Sequence, residues 1–331
     1  MKSAVDILDT PLPISRLAEA ETLYSATSLA IVDPEALRSW SPKASLWGRI
    51  KPLIAKQAGA VLRWSEVDGH SLHYWDCGAA DKPVLVLLHG FGSSKENWSF
   101  LVPLLTKTYR VLVPDLPGFG NSSYRSNCDY RVDTQAERVA EWLSQLGVSQ
   151  FRLAGSSMGG GISAMIAARY PERVVGLCLM NSAGAPATRM SMLEAGILAE
   201  KNYLIAENRG EALRLFQVCF HSNKHLLGAV FALLMAGDMR HRGILNHAIF
   251  GDLVRSLEGT YLSLPSITAP TLVLWGDSDQ VLSVTCVDAF LAQIPQAKAM
   301  VLPETGHLPM IEKPRDTAIV LQAFMNAGAQ Q

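Results

Sequence analysis

The 331-residue chain carries almost no net charge: 29 Lys and Arg stand against 30 Asp and Glu, a formal balance of -1. That leaves no basic footprint for nucleic acid. No stretch reaches the roughly 18 consecutive apolar residues a membrane span takes. The longest, LLGAVFALLMA (226–236), is too short and reads as a buried or interfacial helix. The first residues, MKSAVDILDTPLP, lack an apolar h-region, so no secretory signal is expected. Cysteine is sparse. Cys77, Cys128, Cys178, Cys219 and Cys286 are odd in number, scattered and without CxxC spacing, which argues against a disulfide framework and a zinc site. Cys178, inside an apolar run, reads as a small core residue. A reducing cytoplasm is the expected location. Internal repeats and low-complexity tracts are also lacking.

What is present is 49% hydrophobic and 18% charged, as in one large globular domain with an insertion. Residues 14–58 read as two or three short amphipathic helices. Asp33-Pro34-Glu35 starts one of them, with a capping side chain followed by proline. VLRWSEV and HSLHYWDCG flank Asp68-Gly69, a hairpin signal. Apolar strands at 83–90, 109–116, 151–156, 174–181, 271–277 and 298–304 then alternate with helices near 96–107, 133–147, 158–170, 284–293 and 314–326. The strands are continuously apolar, which implies burial on both faces, as in a parallel sheet covered by helices. The expected fold is therefore a doubly wound α/β domain, with its ligand site at the carboxyl ends of the strands. Between 184 and 265 the rhythm stops. This stretch is helical in pattern, rich in Leu, Ala and Met, and reads as a cap inserted between two strands.

Chemistry is expected first at AGSSMGGG (154–161). Gly/Ser clusters mark turns more often than catalysis, so context decides. Gly155-Ser156-Ser157-Met158-Gly159 fits G-x-S-x-G between an apolar strand and a helix, where a strained turn presents the serine at the sheet edge. Ser157 has glycine two positions away on both sides; Ser156 would place Met158 in a crowded position. Ser157 is the candidate nucleophile. It needs a base and an acid that orients the base, later in the chain in the order Ser, Asp/Glu, His. His307, in LPETGHLPM, follows a strand and is the only histidine after His247. Asp277 and Asp279 follow the preceding strand. Asp277 reads as a loop brace, and Asp279 as the acid that reaches the next loop. Asn181 is not ionised and is set aside. An oxyanion hole needs two N–H donors. Met158, after the nucleophile, supplies one, and Phe91, in the turn after VLVLLHG, the other. His89 reads as a brace for that turn.

LLHGFG, DLPGFGNSS, GSSMGG, WGDSDQV and GHLPMIE together resemble the α/β-hydrolase superfamily over residues 60–328. Within it the chain is similar to cold-adapted bacterial lipases of the Moraxella type and to animal monoacylglycerol lipases. The resemblance implies an α/β-hydrolase fold, with a mostly parallel doubly wound sheet and an inserted helical cap. It implies a serine carboxyl-ester hydrolase, acting through an acyl-enzyme on short- to medium-chain acyl esters or acylglycerols. It also implies no cofactor and no metal, a triad of Ser157, Asp279 and His307, and oxyanion donors on Phe91 and Met158. The expected division is a helical extension at 1–58, a core at 59–183 and 266–331, and a cap at 184–265. The extension lies outside the resemblance. Packing on the core and contact with the cap stay open for it, and peripheral contact with a membrane surface stays open for both the extension and the cap. Relatives that use an aspartate nucleophile are disfavoured by Ser157. Carbon–carbon hydrolases of ring-cleavage products and a non-catalytic ligand-binding scaffold are the competing readings.

Overall fold

The computed structural model describes residues 32–199 and 201–327. Its strands are β1 (Ala60–Val67), β2 (His70–Cys77), β3 (Val84–Leu88), β4 (Arg110–Pro114), β5 (Phe151–Ser156), β6 (Val174–Met180), β7 (Thr271–Gly276) and β8 (Lys298–Leu302). They form one sheet in the order β1-β2-β4-β3-β5-β6-β7-β8. β2 is antiparallel to both neighbours, and every later pairing is parallel. The central strands are apolar throughout because successive side chains enter different cores. In β3, Val86 and Leu88 join the cluster on one face, and Leu85 and Leu87 the cluster on the other. β7 divides in the same way, Val273 and Trp275 against Leu272 and Leu274. Period-two alternation with both faces buried leaves no polar position to read.

The helices are α1 (Pro34–Ser39), α2 (Leu46–Gln57), α3 (Val102–Leu105), α4 (Val132–Gln145), α5 (Met158–Arg169), α6 (Met192–Leu198), α7 (Arg209–Cys219), α8 (His225–Val254), α9 (Leu257–Ser263), α10 (Cys286–Gln293), α11 (Pro309–Glu312) and α12 (Pro314–Ala327). α4, α5 and α10 cover one face of the sheet; α3 and α12 cover the other. The helix expected near 96–107 is instead a 3-10 turn at Lys95–Trp98 followed by the single turn of α3. Pro103 has no N–H to give to residue 99, so a helix arriving from Lys95 cannot run through it. It sits instead in the first turn of α3, where no donor is needed.

Helices α6 to α9 occupy the chain between β6 and β7. The apolar run at 226–236 is the first third of α8, buried only along the side that carries Gly228, Ala232 and Ala236. Of the helices expected in 14–58, α1 and α2 are described, and the part before residue 32 lies outside the described residues. Asp33 caps α1 by accepting from the Glu35 N–H. Ser45 caps α2 through the Gly48 N–H. Both helices touch the insertion: the Trp40 indole N–H donates to the His241 carbonyl in α8, and Trp47 meets Phe231 edge-on. α2 also reaches the core, where Lys51 pairs with Glu96 at 3.5 Å. Cys178 is fully buried. Among the described residues no helix is long and apolar enough to cross a membrane.

Candidate active site

β5 enters α5 through Ser157, whose φ of 56° and ψ of -121° fall where a residue with a side chain is strained. Such a conformation costs about 1–3 kcal/mol and persists only where its surroundings enforce it. Here they do. The Ser157 N–H donates to the Met180 carbonyl, and its own carbonyl accepts from the N–H groups of Gly160, Gly161 and Ala183. The flanking glycines are sterically required. A Cβ on Gly155 would lie 2.0 Å from the Gly159 carbonyl oxygen, and a Cβ on Gly159 would lie 2.3 Å from that of Leu88. The side chain of Ser156 is buried, and its hydroxyl has no hydrogen-bond partner among the described residues.

The loops after β7 and β8 bring Asp279 and His307 together. Asp279 Oδ2 is 2.8 Å from His307 Nδ1, and both side chains are buried. Asp279 Oδ1 accepts from the N–H groups of Val281 and Leu282 at 2.8 and 3.1 Å. Both carboxylate oxygens are thus fixed, and the ring presents Nε2 away from the acid. Close approach of the two loops depends on Gly276, where a Cβ would meet the Gly306 carbonyl oxygen at 2.2 Å. Asp277 is exposed and braces the same junction, accepting from the Ser278 hydroxyl and the Thr305 N–H.

Ser157 and His307 line one cleft, together with Phe91 and Gly90 from the turn after β3. A Cβ on Gly90 would lie 3.1 Å from that of Ser157, so this turn passes directly over the serine. Met158 is the first residue of α5, so its N–H has no acceptor within the helix. His89 holds the turn from behind. Its Nε2 accepts from the Leu116 N–H at 3.0 Å, and its Nδ1 lies 2.8 Å from the Gly90 carbonyl, so the proton sits on Nδ1. Full burial pulls its pKa down to about 4. The cleft is apolar on the side of the insertion, with Leu215, Phe216, Phe231 and Met239, and more polar around Ser93, Glu96 and Asn97. Its unfilled space, open mouth included, is about 1090 Å³. Among the described residues no group of three or more His, Cys, Asp or Glu is placed to hold a metal ion.

Four supporting residues escaped the sequence reading. Asn181, set aside as uncharged, donates from Nδ2 to Asp279 Oδ2 at 2.6 Å. Glu312 accepts from the N–H groups of Gly306, His221 and Leu308, tying the His307 loop to the end of α7. Burial pushes the Glu312 carboxyl up, against the pull of those donors. Asp115 is fully buried and takes Lys95 Nζ at 2.5 Å and the Lys95 N–H at 2.8 Å. Burial opposes its charge, but Lys95 and Lys51 hold its carboxyl below the usual range. The available signal for Asp115 was its position at the end of an apolar strand. The bonds of Asn181 to Asp279 and of His221 to Glu312 join residues far apart in sequence and left no local trace.

A family model described as alpha/beta hydrolase fold matches residues 83–314. Lipase 3 of Moraxella sp. (strain TA144) is 31% identical over 241 residues, 72% of this chain and 76% of that protein. Human monoacylglycerol lipase ABHD6 is 28% identical over 255 residues, 74% of this chain and 75% of its own. Among solved structures, a membrane phospholipase A described as a bacterial virulence factor superposes with a TM-score of 0.80 at 32% identity, covering 96% of this chain and 99% of that one. A meta-cleavage product hydrolase from Pseudomonas fluorescens IP01 superposes with a TM-score of 0.71 over 80% and 97%. At 23% identity that likeness bears on the fold alone.

Proposed function

Because the chain belongs to the α/β-hydrolase fold family, we propose that it hydrolyses carboxyl esters of apolar acyl chains through an acyl-enzyme on Ser157. Its lipase relatives support a lipase- or esterase-type hydrolase activity. One observation carries the finer reading: the hydrogen-bonded pair of Asp279 and His307 opens onto the same cleft as the strained Ser157.

The chemistry follows from these positions. Ser157 Oγ attacks the ester carbonyl carbon while its proton passes to His307 Nε2. Asp279 holds the ring by Nδ1 and stabilises the imidazolium. The N–H groups of Phe91 and Met158 receive the oxyanion, each contributing a few kcal/mol, about 3 in measured cases. Collapse of the tetrahedral intermediate breaks the ester C–O bond, and the imidazolium gives its proton to the leaving alcohol. Water then repeats the sequence on the acyl-serine and releases the carboxylic acid. In this reading 184–265 acts as a cap over a core of 59–183 and 266–331, its Leu215, Phe216 and Met239 forming the acyl-chain wall. Residues 1–58 are an extension whose α2 adds Trp47 and Ile54 to the cleft. The substrate class is a small-molecule ester or lipid, turned over without a cofactor.

The test is a graded series of p-nitrophenyl esters and acylglycerols, combined with fluorophosphonate labelling. Wild-type protein labels at Ser157 and turns over esters, and Leu215→Trp loses longer chains while keeping acetate. Folded protein that neither labels nor hydrolyses any ester, but cleaves a vinylogous diketone, would shift the reading to carbon–carbon hydrolysis.

A further inference from the structure

The near-neutral balance of the chain conceals a strong local excess. From Ala36 to Ser65 there are six basic side chains, Arg38, Lys43, Arg49, Lys51, Lys56 and Arg63, and no acidic one. Lys51 pairs with Glu96, and Arg63 with Asp76. Lys43, Arg49 and Lys56 are exposed, and none forms an ion pair among the described residues.

This basic stretch holds α2, a helix with two apolar faces. Trp47 and Ile54 point into the cleft. Leu46 and Leu53, 57% and 68% exposed, stand two helical turns apart on another side. α8 repeats the arrangement. Phe231 and Met235 line the cleft, while Leu226, Val230 and Leu233 are exposed at the i, i+4, i+7 spacing of one stripe. The most exposed of these, Leu226, is at 82%. The two outer stripes come together at a surface groove that includes Leu46 and Leu233. Its charged lining is Lys43, Arg209 and Arg240 against a single carboxylate, Asp238.

We propose that the outer faces of α2 and α8 dock on the surface of an anionic phospholipid bilayer. Protruding leucines set among unpaired cations are the pattern of an interfacial helix, in which apolar tips enter the acyl boundary and cations meet anionic headgroups. A second copy of the chain fits poorly. A two-fold contact would lay Lys43, Arg49 and Lys56 against themselves.

The test is co-flotation of the full chain with vesicles of phosphatidylcholine, with and without phosphatidylglycerol. Flotation needs no turnover, so its failure is distinguishable from failure of the hydrolase reading. The expected result is binding to the phosphatidylglycerol vesicles only, weakened by added salt. The double variant Arg49→Glu/Lys56→Glu should bind about tenfold more weakly or worse. Leu226→Glu/Leu233→Glu should lose binding through the apolar tips. Both should keep wild-type melting temperatures, since all four side chains are exposed. Equal binding to both vesicle types, or none, overturns the proposal. So does undiminished binding of both variants, which would place the contact elsewhere, residues 1–31 included.

Discussion

Asp279 grips the imidazole of His307 through Oδ2 at 2.8 Å while Val281 and Leu282 N–H groups hold its other oxygen. Two residues away, Asp277 is exposed, and its carboxylate accepts from Ser278 in its own loop and from Thr305 in the next one. Replacing each by asparagine separates the roles. Asp279→Asn keeps the size, removes the charge proposed to stabilise the imidazolium and favours the wrong tautomer. Turnover should fall by up to about 10⁴. Asp277→Asn should retain turnover within a few-fold and show at most a lower melting temperature. Steady-state kinetics on one soluble ester, with thermal melts of both variants, decide it. An inactive Asp277→Asn beside an active Asp279→Asn would reverse the assignment.

The adjacent serines make a second pair. Ser157→Ala removes the group proposed to carry the acyl chain, and fluorophosphonate labelling should vanish with the rate. Ser156→Ala deletes a buried hydroxyl that has no partner among the described residues, so it breaks no bond described there. It should label, turn over and melt close to wild type. Mass spectrometry of the labelled peptide reads the outcome directly. Equal losses in two folded variants would count against Ser157.

What could be read beforehand was what depends on local pattern. Ser157 stood out because glycine lies two positions away on both sides, and those glycines are the positions where a Cβ would strike backbone. His307 and Asp279 stood out because strand ends are where such a sheet places its chemistry. Contacts made across the fold left no such mark. Asn181 carries no charge, and nothing in its local sequence shows that its amide donates to Asp279 Oδ2. The Lys95–Asp115 pair joins two loops twenty residues apart, and a helical pattern over 96–107 concealed the break at Pro103. Trp47 and Ile54 reach the cleft only because α2 packs on α8, which periodicity within α2 does not report.

The steric argument at the turn yields a third test. In Gly159→Ala the new methyl would sit 2.3 Å from the Leu88 carbonyl oxygen and 2.5 Å from that of His89, both backbone atoms in the sheet's centre. Neither can yield without moving β3 away from α5. The expected cost is about 3 kcal/mol or more, at the upper end of overpacking losses. Gly161→Ala, whose nearest neighbour would lie at 3.3 Å, should cost clearly less. Urea denaturation of the two variants measures the difference. Equal midpoints would mean that strand and helix are not held as closely as described.

The last test concerns His89, which is kept neutral by burial with a pKa pulled from 6.5 to about 4. In the unfolded chain the same ring gains a proton as the pH drops through 6.5, whereas the folded protein resists until about 4. Between those values the unfolded state binds more protons, so stability rises with pH and is lost on acidification. From about pH 7 to about pH 4.5 this one ring should remove on the order of 2 kcal/mol of folding stability. His89→Gln cannot titrate. It should be less stable than wild type at neutral pH, because it fits the Leu116 N–H and Gly90 carbonyl less well, yet lose less on acidification. Buried Glu312 titrates in both proteins and cancels in the difference, and Asp115, held low by Lys95 and Lys51, stays ionised in the folded protein across this range. Chemical denaturation of wild type and variant across this range gives the two slopes. Parallel slopes would mean that His89 does not carry the acid sensitivity and that its ring is not held neutral behind the turn.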